Sequence, residues 1–262
     1  MWGSFRVMSD RLSLTAVEGI PGIGPGDDLA AVLVAALDRQ GEILRDFDVL
    51  VVAQKIVSKA EGRYVDLATV VPSAEAQRLA AETDKDPRLV EVILRESHRV
   101  VRYRRGVLIV EHRLGFVMAN AGIDRSNLDA AAGAEPVLLL PCEPDASAVG
   151  LRDQLAAHYR TAFGLIVSDS MGRAWRRGTI GVALGAAGLP ALLDWRGRAD
   201  LSGRRLQATE TGFADEIAAA ASLLMGQADE AIPAVLVRGL RWSEAPVAAA
   251  GLIRAAEEDL FR

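Results

Sequence analysis

Three polar segments of the sequence carry residue types that could bind a metal ion and phosphate groups. They run from Asn120 to Asn127 ("NAGIDRSN"), from Ser168 to Gly178 ("SDSMGRAWRRG") and from Gly226 to Ala231 ("GQADEA"). The first two each follow a strand-like apolar run and contain an aspartate, Asp124 and Asp169 respectively. Carboxylate and hydroxyl oxygens are the ligands that Mg²⁺ and Mn²⁺ prefer. A cation held by both aspartates would join two strand ends of the fold.

The same residue types also have simpler interpretations. An isolated aspartate in a loop is commonly a turn-capping residue. Arg173, Arg176 and Arg177 of the second segment could hold the phosphodiester or the carboxylates of a substrate, or they could be surface arginines paired with nearby acids. The joint occurrence of the aspartates with arginine and glycine neighbours favours a binding site over unrelated turns.

The elements that must position these segments alternate irregularly, which predicts a mixed α/β fold of the α+β-like kind. The stretches "LAAVLVAALDRQ", "SAEAQRLAAET", "DPRLVEVILRESH", "VGLRDQLAAHYRTA" and "TGFADEIAAAASLLM" are expected to be helices, the last one stopping at Gly226. Strands are expected at "LSLTAVEGI" and Val49 to Val52, and buried strands at "FGLIV" and "IPAVLVRGL". The residues after Val52 are interpreted as a polar segment, and the small residues of "GTIGVALGAAGL" suit a tight subunit or domain contact.

The glycine-rich segment from Gly19 to Asp28 ("GIPGIGPGDD") is interpreted as a shaped loop. Pro21 and Pro25 fix φ and remove two amide donors. Its glycine spacing does not match a dinucleotide fingerprint and no Walker-type lysine follows it, so we expect neither a Rossmann nor a P-loop fold. Asp27 and Asp28 suit the N-cap and the first turn of the following helix.

Composition excludes several classes of protein. The 262 residues are 50% hydrophobic and 25% charged, with a net charge of −5, which gives no general attraction to nucleic acids or membranes. A single cysteine, Cys142, excludes an internal disulfide, and three scattered histidines argue against a histidine-based metal site. The N-terminal segment lacks the apolar core of a signal peptide, and no apolar run reaches the roughly 18 residues of a membrane helix. We therefore expect a cytoplasmic protein.

Six stretches, in this order, closely resemble the coenzyme F-420 γ-glutamyl ligase family, whose members add L-glutamate to the deazaflavin precursor F-420-0. They are "GIPGIGPGDDLA", "VVAQKIVSKAEGR", "VMANAGIDRSN", "VSDSMGRAWRRGTIGVALGAAG", "DWRGRADLSGR" and "ADEIAAAASLLMGQADEAIPAVLVRGL". The resemblance extends from about Thr15 to Glu258.

The resemblance implies a GTP-dependent amide ligation through an acyl phosphate, which could continue to further γ-linked glutamates. It implies Mg²⁺ or Mn²⁺ as a pair of ions, K⁺ in some members, small-molecule substrates, and a family-specific α/β fold that forms an intertwined homodimer. Residues 1–262 would form a single ligase domain, which could consist of two subdomains. Because the chain ends soon after "EEDLFR", we expect no nitroreductase-like extension.

The resemblance also implies which residues form the site. The implied metal ligands are Asp124, Asp169, Ser170 and Gln227, and the implied catalytic residues are Asp124, Asp169 and Lys59. The implied nucleotide contacts are Ile20, Pro21, Gly22, Ile23, Gln54, Lys59, Asn127, Met225, Gly226, Gln227, Ala228, Asp229, Glu230, Ala231 and Ile232. Gln227 stands where some members have glutamate, which removes one negative charge from the second metal site.

Two other functions stay open at this level. The same aspartates could serve a metal-dependent phosphotransferase or phosphohydrolase that acts on another substrate. The chain could also be a regulatory protein that binds GTP without turning it over, although the retained aspartates argue against this.

Overall fold

The computed structural model describes residues 8–126, 128 and 134–260. The helices are α1 (Leu29–Arg39), α2 (Gln54–Ala60), α3 (Ala74–Thr83), α4 (Pro87–Arg95), α5 (Pro144–Tyr159) and α6 (Phe213–Met225). The strands are β1 (Met8–Ala16), β2 (Val49–Ala53), β3 (Tyr64–Asp66), β4 (Ser97–Arg104), β5 (Val107–His112), β6 (Val117–Ala119), β7 (Pro136–Leu138), β8 (Gly164–Gly172), β9 (Thr179–Ala187), β10 (Leu193–Asp194), β11 (Glu210–Thr211) and β12 (Ala234–Leu240). Short 3-10 helices lie at Leu67–Thr69, Asn120–Gly122, Ala249–Leu252 and Ala256–Glu258.

A mixed five-stranded sheet has the order β1-β12-β2-β8-β9. Strands β2 and β8 are parallel, and the other neighbouring pairs are antiparallel. Strand β2 is buried on both faces, since Leu50 and Val52 pack in a core with α1 and α5 while Val49 and Val51 pack in a core with α6. This two-sided burial explains the continuous apolar run in the sequence. The predicted mixed α/β class is confirmed.

A second group of elements packs around its own core. It contains the sheet β4-β5-β6, the pair β3-β7 and the helices α3 and α4, with Leu79, Ile93 and Leu108 among its buried residues. The backbone of Asp124 exchanges two hydrogen bonds of 2.9 Å with Leu138 at the end of β7. This group therefore fixes the first polar segment against the rest of the fold.

The small residues of "GTIGVALGAAGL" form β9, the edge strand, between two helices. A Cβ atom at Gly181 would collide with the carbonyl oxygen of Ala218 in α6, and one at Gly185 would collide with that of Pro144 in α5. Close helix contacts within the chain therefore account for the small residues, and these residues no longer support a subunit contact.

The same edge strand donates backbone hydrogen bonds to helix carboxylates. Asp215 of α6 accepts the N–H of Ala183 at 2.9 Å, and Asp145 of α5 accepts the N–H of Ala186 at 2.8 Å. Edge strands expose N–H groups that need partners or protection. Here two acidic side chains provide those partners.

Two polar segments that the sequence analysis treated as irregular lie in regular structure. The residues after β2 form α2, whose N-cap residue Ala53 makes no capping bond, so the usual start signal of a helix is missing. Ser168–Gly172 extends β8 because pairing with β9 continues beyond a β-bulge. The predicted loop therefore begins only at Arg173, and Asp169 and Ser170 lie on a strand.

The predicted helices are confirmed, with shifts at their ends. Asp28 caps α1 by accepting the N–H of Ala31, and Gly226 ends α6 as predicted. Helix α5 begins at Pro144, one turn before the predicted start, and α4 ends at Arg95. Within the described ranges, none of the helices combines the length and apolar character that crossing a membrane requires.

Candidate active site

A cleft of about 830 Å³ opens at the edge of the central sheet where β2 ends. Strand β8 runs parallel to β2, so its polar residues reach the same edge. Strand β12 begins there, since the N–H of Ala53 donates to the carbonyl of Pro233 at 2.8 Å. Ligands of open α/β sheets bind at the carboxyl ends of strands where the strand order or direction changes. The topology therefore favours a binding site at this edge.

The structure brings together every predicted site residue that it describes. These residues come from the loop after β1, from α2, from the segment after β6, from β8, and from the loop between α6 and β12. They are Ile20, Pro21, Gly22, Ile23, Gln54, Lys59, Asp124, Asp169, Ser170, Met225, Gly226, Gln227, Ala228, Asp229, Glu230, Ala231 and Ile232. Asn127 lies outside the described residues. Lys55 and Ser126, which the sequence analysis did not assign to the site, also line the cleft.

A lysine and a serine hold Asp124 in place. The Nζ atom of Lys55 lies 2.7 Å from Oδ2 of Asp124, and the N–H and Oγ of Ser126 donate to Oδ1 at 2.7 and 2.8 Å. Burial tends to raise the pKa of Asp124, but the hydrogen bonds from Lys55 and Ser126 outweigh it and lower the pKa below its usual value. Asp124 is therefore ionised at neutral pH, beside a cationic side chain.

Asp169 lies in a different electrostatic setting. It is partly buried on β8, and its carboxylate accepts the N–H of Ser170 at 2.8 Å. Burial and the negative charge of Asp124 raise the pKa of Asp169 to about 6, against the opposing effects of the Ser170 N–H and Lys55. The two carboxylates thus repel each other across the cleft, and a bound cation would relieve that repulsion.

The residues at this position fit a hard divalent cation. Among the described residues, no group of three or more Asp, Glu, His or Cys could hold a metal ion. Asp124 and Asp169 thus offer two carboxylates, and a cation bound between them would need further oxygens from neutral side chains of the cleft, from substrate or from water. Mg²⁺ is commonly bound in this way, through one or two carboxylates with substrate phosphates and waters. The ammonium group of Lys55 already forms an ion pair with Asp124, so the cleft stabilises a positive charge at this position.

Helix α2 presents two lysines to the cleft. Lys55 and Lys59 are four residues apart, which places them on the same face of a helix, and both line the cleft. Gln54 is buried, and its Oε1 accepts the hydroxyl of Ser58 at 2.8 Å. Had the polar segment been recognised as a helix, the spacing would have identified Lys55 together with Lys59.

The loop between α6 and β12 forms a small anion site from its backbone. Oε2 of Glu230 accepts the N–H of Ala228 at 2.8 Å, and this N–H, followed by those of Glu230 and Gln227, lowers the pKa of the Glu230 carboxyl. Gly226 has φ +71° and ψ −169°, a conformation that essentially only glycine adopts. Backbone N–H groups arranged in this way commonly bind phosphate. In this loop the carboxylate of Glu230 occupies the position where a phosphate could bind.

The loop after β1 is fixed against α2. The N–H of Gly26 donates to the carbonyl of Ala60 at 2.8 Å, and Asp27 accepts the N–H of Gly24 at 2.8 Å. Asp27 therefore closes the loop and is not in the first turn of α1. Ile23 is buried under the loop, which gives this wall of the cleft a defined shape.

The three arginines of the second polar segment do not line the cleft. Arg173, Arg176 and Arg177 lie exposed in the turn between β8 and β9. Arg173 donates to the carbonyl of Gly178 at 3.2 Å.

Comparison with known proteins finds extensive similarity. A family model described as "F420-0:Gamma-glutamyl ligase" matches residues 19–239. The chain is 46% identical over 253 residues to a protein named "Coenzyme F420:L-glutamate ligase" from Methanothermobacter thermautotrophicus, covering 96% of this chain and 99% of that protein. Proteins of the same name from Methanopyrus kandleri and Haloarcula marismortui are 45% identical over 246 residues and 42% identical over 257 residues. The alignments cover 92% and 96% of this chain, and 93% of each relative.

Proposed function

The chain belongs to the F420-0:gamma-glutamyl ligase family, and from this premise we propose that it joins L-glutamate to F-420-0 through an amide bond, using GTP. The observation that supports this most directly is the cleft itself. It combines a pair of mutually repelling carboxylates, two lysines on one helix face and a backbone anion site. Phosphoryl transfer needs this combination of charge neutralisation and positioning.

The proposed reaction has two chemical steps. A carboxylate is a poor electrophile, so an oxygen of the F-420-0 carboxylate first attacks the γ-phosphorus of GTP, and GDP leaves. The product is an acyl phosphate. The amine of L-glutamate then attacks the acyl carbon, loses a proton and displaces inorganic phosphate, which leaves an amide.

Residues of the cleft take distinct parts in this reaction. Lys55 and Lys59 would neutralise phosphate oxygens, as lysines do in other phosphate sites. The loop from Met225 to Ile232 would bind a phosphate through its backbone N–H groups once the carboxylate of Glu230 moves away.

A pair of Mg²⁺ or Mn²⁺ ions would be held by the cleft carboxylates and their neighbours. When bound, those ions would neutralise the negative charge of the phosphoryl group that is transferred. The ligands would be Asp124, Asp169, Ser170 and Gln227. K⁺ as an additional ion stays a prediction of the family resemblance.

The test is a product analysis with purified protein. Incubation with F-420-0, L-glutamate, GTP and Mn²⁺ should yield a product heavier by one glutamyl residue, or by several if ligation continues. ATP in place of GTP tests the choice of nucleotide. Phosphate release that does not depend on glutamate would instead indicate a phosphohydrolase, and GTP binding without turnover would indicate a regulatory protein.

The homodimer belongs to the same proposal. The family resemblance supports it, whereas the small residues of β9 are accounted for by packing within the chain. Sedimentation should give about twice the chain mass of 27.9 kDa, as expected for the commonest closed assembly. An active, stable monomer at micromolar concentration would contradict it.

A further inference from the structure

The turn between β8 and β9 carries an exposed tryptophan among three arginines. Trp175 is 88% exposed, and its φ of +65° is unusual for a residue other than glycine. Arg173, Arg176 and Arg177 are exposed as well, and within the described part of the chain none of them forms an ion pair with a carboxylate. The turn thus presents a large apolar ring and unpaired positive charge to solvent.

Packing does not account for this ring, in contrast to the other tryptophans that the structure describes. The ring of Trp195 lies 4.5 Å from the guanidinium carbon of Arg198, and Trp242 packs edge-on against Phe47 with ring centroids 5.2 Å apart. Trp175 has no such contact among the described residues. Exposure alone would not set Trp175 apart, but its ring lies among unpaired arginines and its backbone adopts a sparsely populated conformation, a combination that motivates a binding role.

Strand β8 leads from the active-site carboxylate directly to this turn. Asp169 and Ser170 line the cleft, and pairing with β9 continues as far as Gly172 opposite Thr179. At a strand rise of roughly 3.3 Å per residue, the turn begins about 13 Å beyond Asp169. The paired strands therefore lead from the cleft carboxylate to the turn that carries the arginines and the tryptophan.

We propose that Trp175 stacks on the deazaflavin ring of the acceptor substrate while the flanking arginines bind its phosphodiester. This inference rests on the proposed ligase function. Along the hairpin, the carboxylates of the cleft come first, and the arginines and the aromatic ring follow together in the turn. A planar heterocycle stacks on an indole, and a phosphodiester matches the guanidinium group.

Steady-state kinetics with Trp175→Ala, Trp175→Phe and a matched control test the stacking. We expect Trp175→Ala to raise the KM for F-420-0 roughly tenfold, the scale at which aromatic stacking contributes to binding of planar bases. The KM values for GTP and glutamate should stay unchanged, and Trp175→Phe should restore most of the loss. Leu201→Ala removes an apolar side chain that is 96% exposed in another turn, and it should behave as wild type.

Three results would overturn the stacking. An unchanged KM for F-420-0 in Trp175→Ala, with an active wild-type enzyme, would remove the role of Trp175 and leave the ligase function intact. Equal increases in all three KM values would show a general distortion of the site. Conversion of a dimer to a monomer by Trp175→Ala in sedimentation would show that this residue contacts a second copy of the chain. A wild-type enzyme without ligation would instead contradict the proposed function itself.

The arginines are tested separately. Arg173→Gln, Arg176→Gln and Arg177→Gln are the variants, and the arginines that bind the phosphodiester should raise the KM for F-420-0 and weaken its dependence on salt concentration when replaced, because screening acts on the lost charge pair. Arg196→Gln is the control, since Arg196 already pairs with Asp194 at 2.7 Å. An unchanged KM for F-420-0 in all three variants would overturn the assignment of the phosphodiester to this turn.

Discussion

Asp124 and Asp169 of the cleft and Asp145 at the edge of the central sheet are all partly buried, but they have different partners. At the edge, Asp145 accepts the N–H groups of Ala186, Ala249 and Ala250 at 2.8, 2.8 and 3.1 Å. These amides come from β9 and from the 3-10 helix near the C-terminus, so the carboxylate ties three distant segments together. Its role is structural.

In the cleft, the carboxylates lack such backbone ties between distant segments. Asp169 accepts a hydrogen bond only from the next residue along the chain, within the described structure, and it faces the charge of Asp124. Asp124 in turn depends on Lys55 for neutralisation. A carboxylate that backbone amides satisfy supports the fold, whereas one that faces another carboxylate can accept a cation. Burial alone does not separate these two kinds of aspartate.

The largest expected effect is on activity at the cleft. Asp169→Asn and Asp124→Asn should each lower ligation by on the order of 100-fold or more, because each variant would lose a charged oxygen that we propose as a metal ligand near the transferring phosphoryl group. Circular dichroism and thermal unfolding should stay close to wild type. Asp153→Asn, at an exposed position of α5 outside the cleft, is the control. Turnover near the wild-type rate in either cleft variant would remove that residue from the site.

The opposite result is expected at the edge of the sheet. Asp145→Ala leaves three backbone N–H groups without their acceptor and should lower the free energy of unfolding by about 2–4 kcal/mol. Urea unfolding measures this loss, and ligation per folded molecule should be retained. Asp145→Asn keeps one acceptor oxygen and should have a smaller effect. If Asp145→Ala unfolds as wild type does but loses activity, the division between structural and functional aspartates is wrong.

The raised pKa of Asp169 makes the contribution of this residue to the free energy of unfolding depend on pH. The pKa of Asp169 is raised to about 6 in the folded state. Between about pH 4 and 6, Asp169 is therefore protonated in the native state but ionised in the unfolded state. Ionised Asp169 therefore destabilises the metal-free fold above pH 6, and this cost disappears as the pH falls below about 4. Asp169→Asn should accordingly raise the free energy of unfolding at pH 7.5 by about 1–3 kcal/mol.

The measurement is urea unfolding of both proteins in chelator at several pH values. The difference between variant and wild type should shrink towards zero at pH 4. A difference that is constant with pH would show that the substitution acts through packing and not through charge.

The smallest expected effect concerns Gln227, the neutral residue among the proposed metal ligands. Its amide oxygen would bind a cation without contributing net charge, so Gln227→Glu should shift the Mg²⁺ and Mn²⁺ dependence of ligation to lower metal concentration. The metal titration of activity is the measurement, with thermal unfolding as a check on folding. An unshifted titration in a stable protein would leave Asp124 and Asp169 as a site for a single ion.

Local patterns predicted most helices and strands correctly. Asp28 caps α1 and Gly226 ends α6 as predicted, and α3, which was expected to start at Ser73, begins at Ala74 with Ser73 as its N-cap. The errors lie where tertiary contacts override composition. Helix α2 lacks a capping side chain, and the polar end of β8 stays in a strand because β9 pairs with it.

The candidate site shows the same division. The motifs identified the residues that now line the cleft, and only Asn127 falls outside the described ranges. Lys55 was missed because its importance depends on Asp124, which is remote in sequence. The burial of Gln54 against Ser58 and the hydrogen bonds of Glu230 to its own loop were also not visible in the sequence.

The sequence by itself determined the chemistry of the side chains, the type of most elements and the resemblance to a ligase family, because these depend on residue identity and on near neighbours. Tertiary structure alone decided that parallel pairing of β2 with β8 brings Asp169 to the edge where α2 begins. It also decided that Lys55 pairs with Asp124, that the pKa of Asp169 rises, and that Asp145 is satisfied by the backbone. The physical reason is that desolvation and charge interaction depend on distances between groups far apart along the chain.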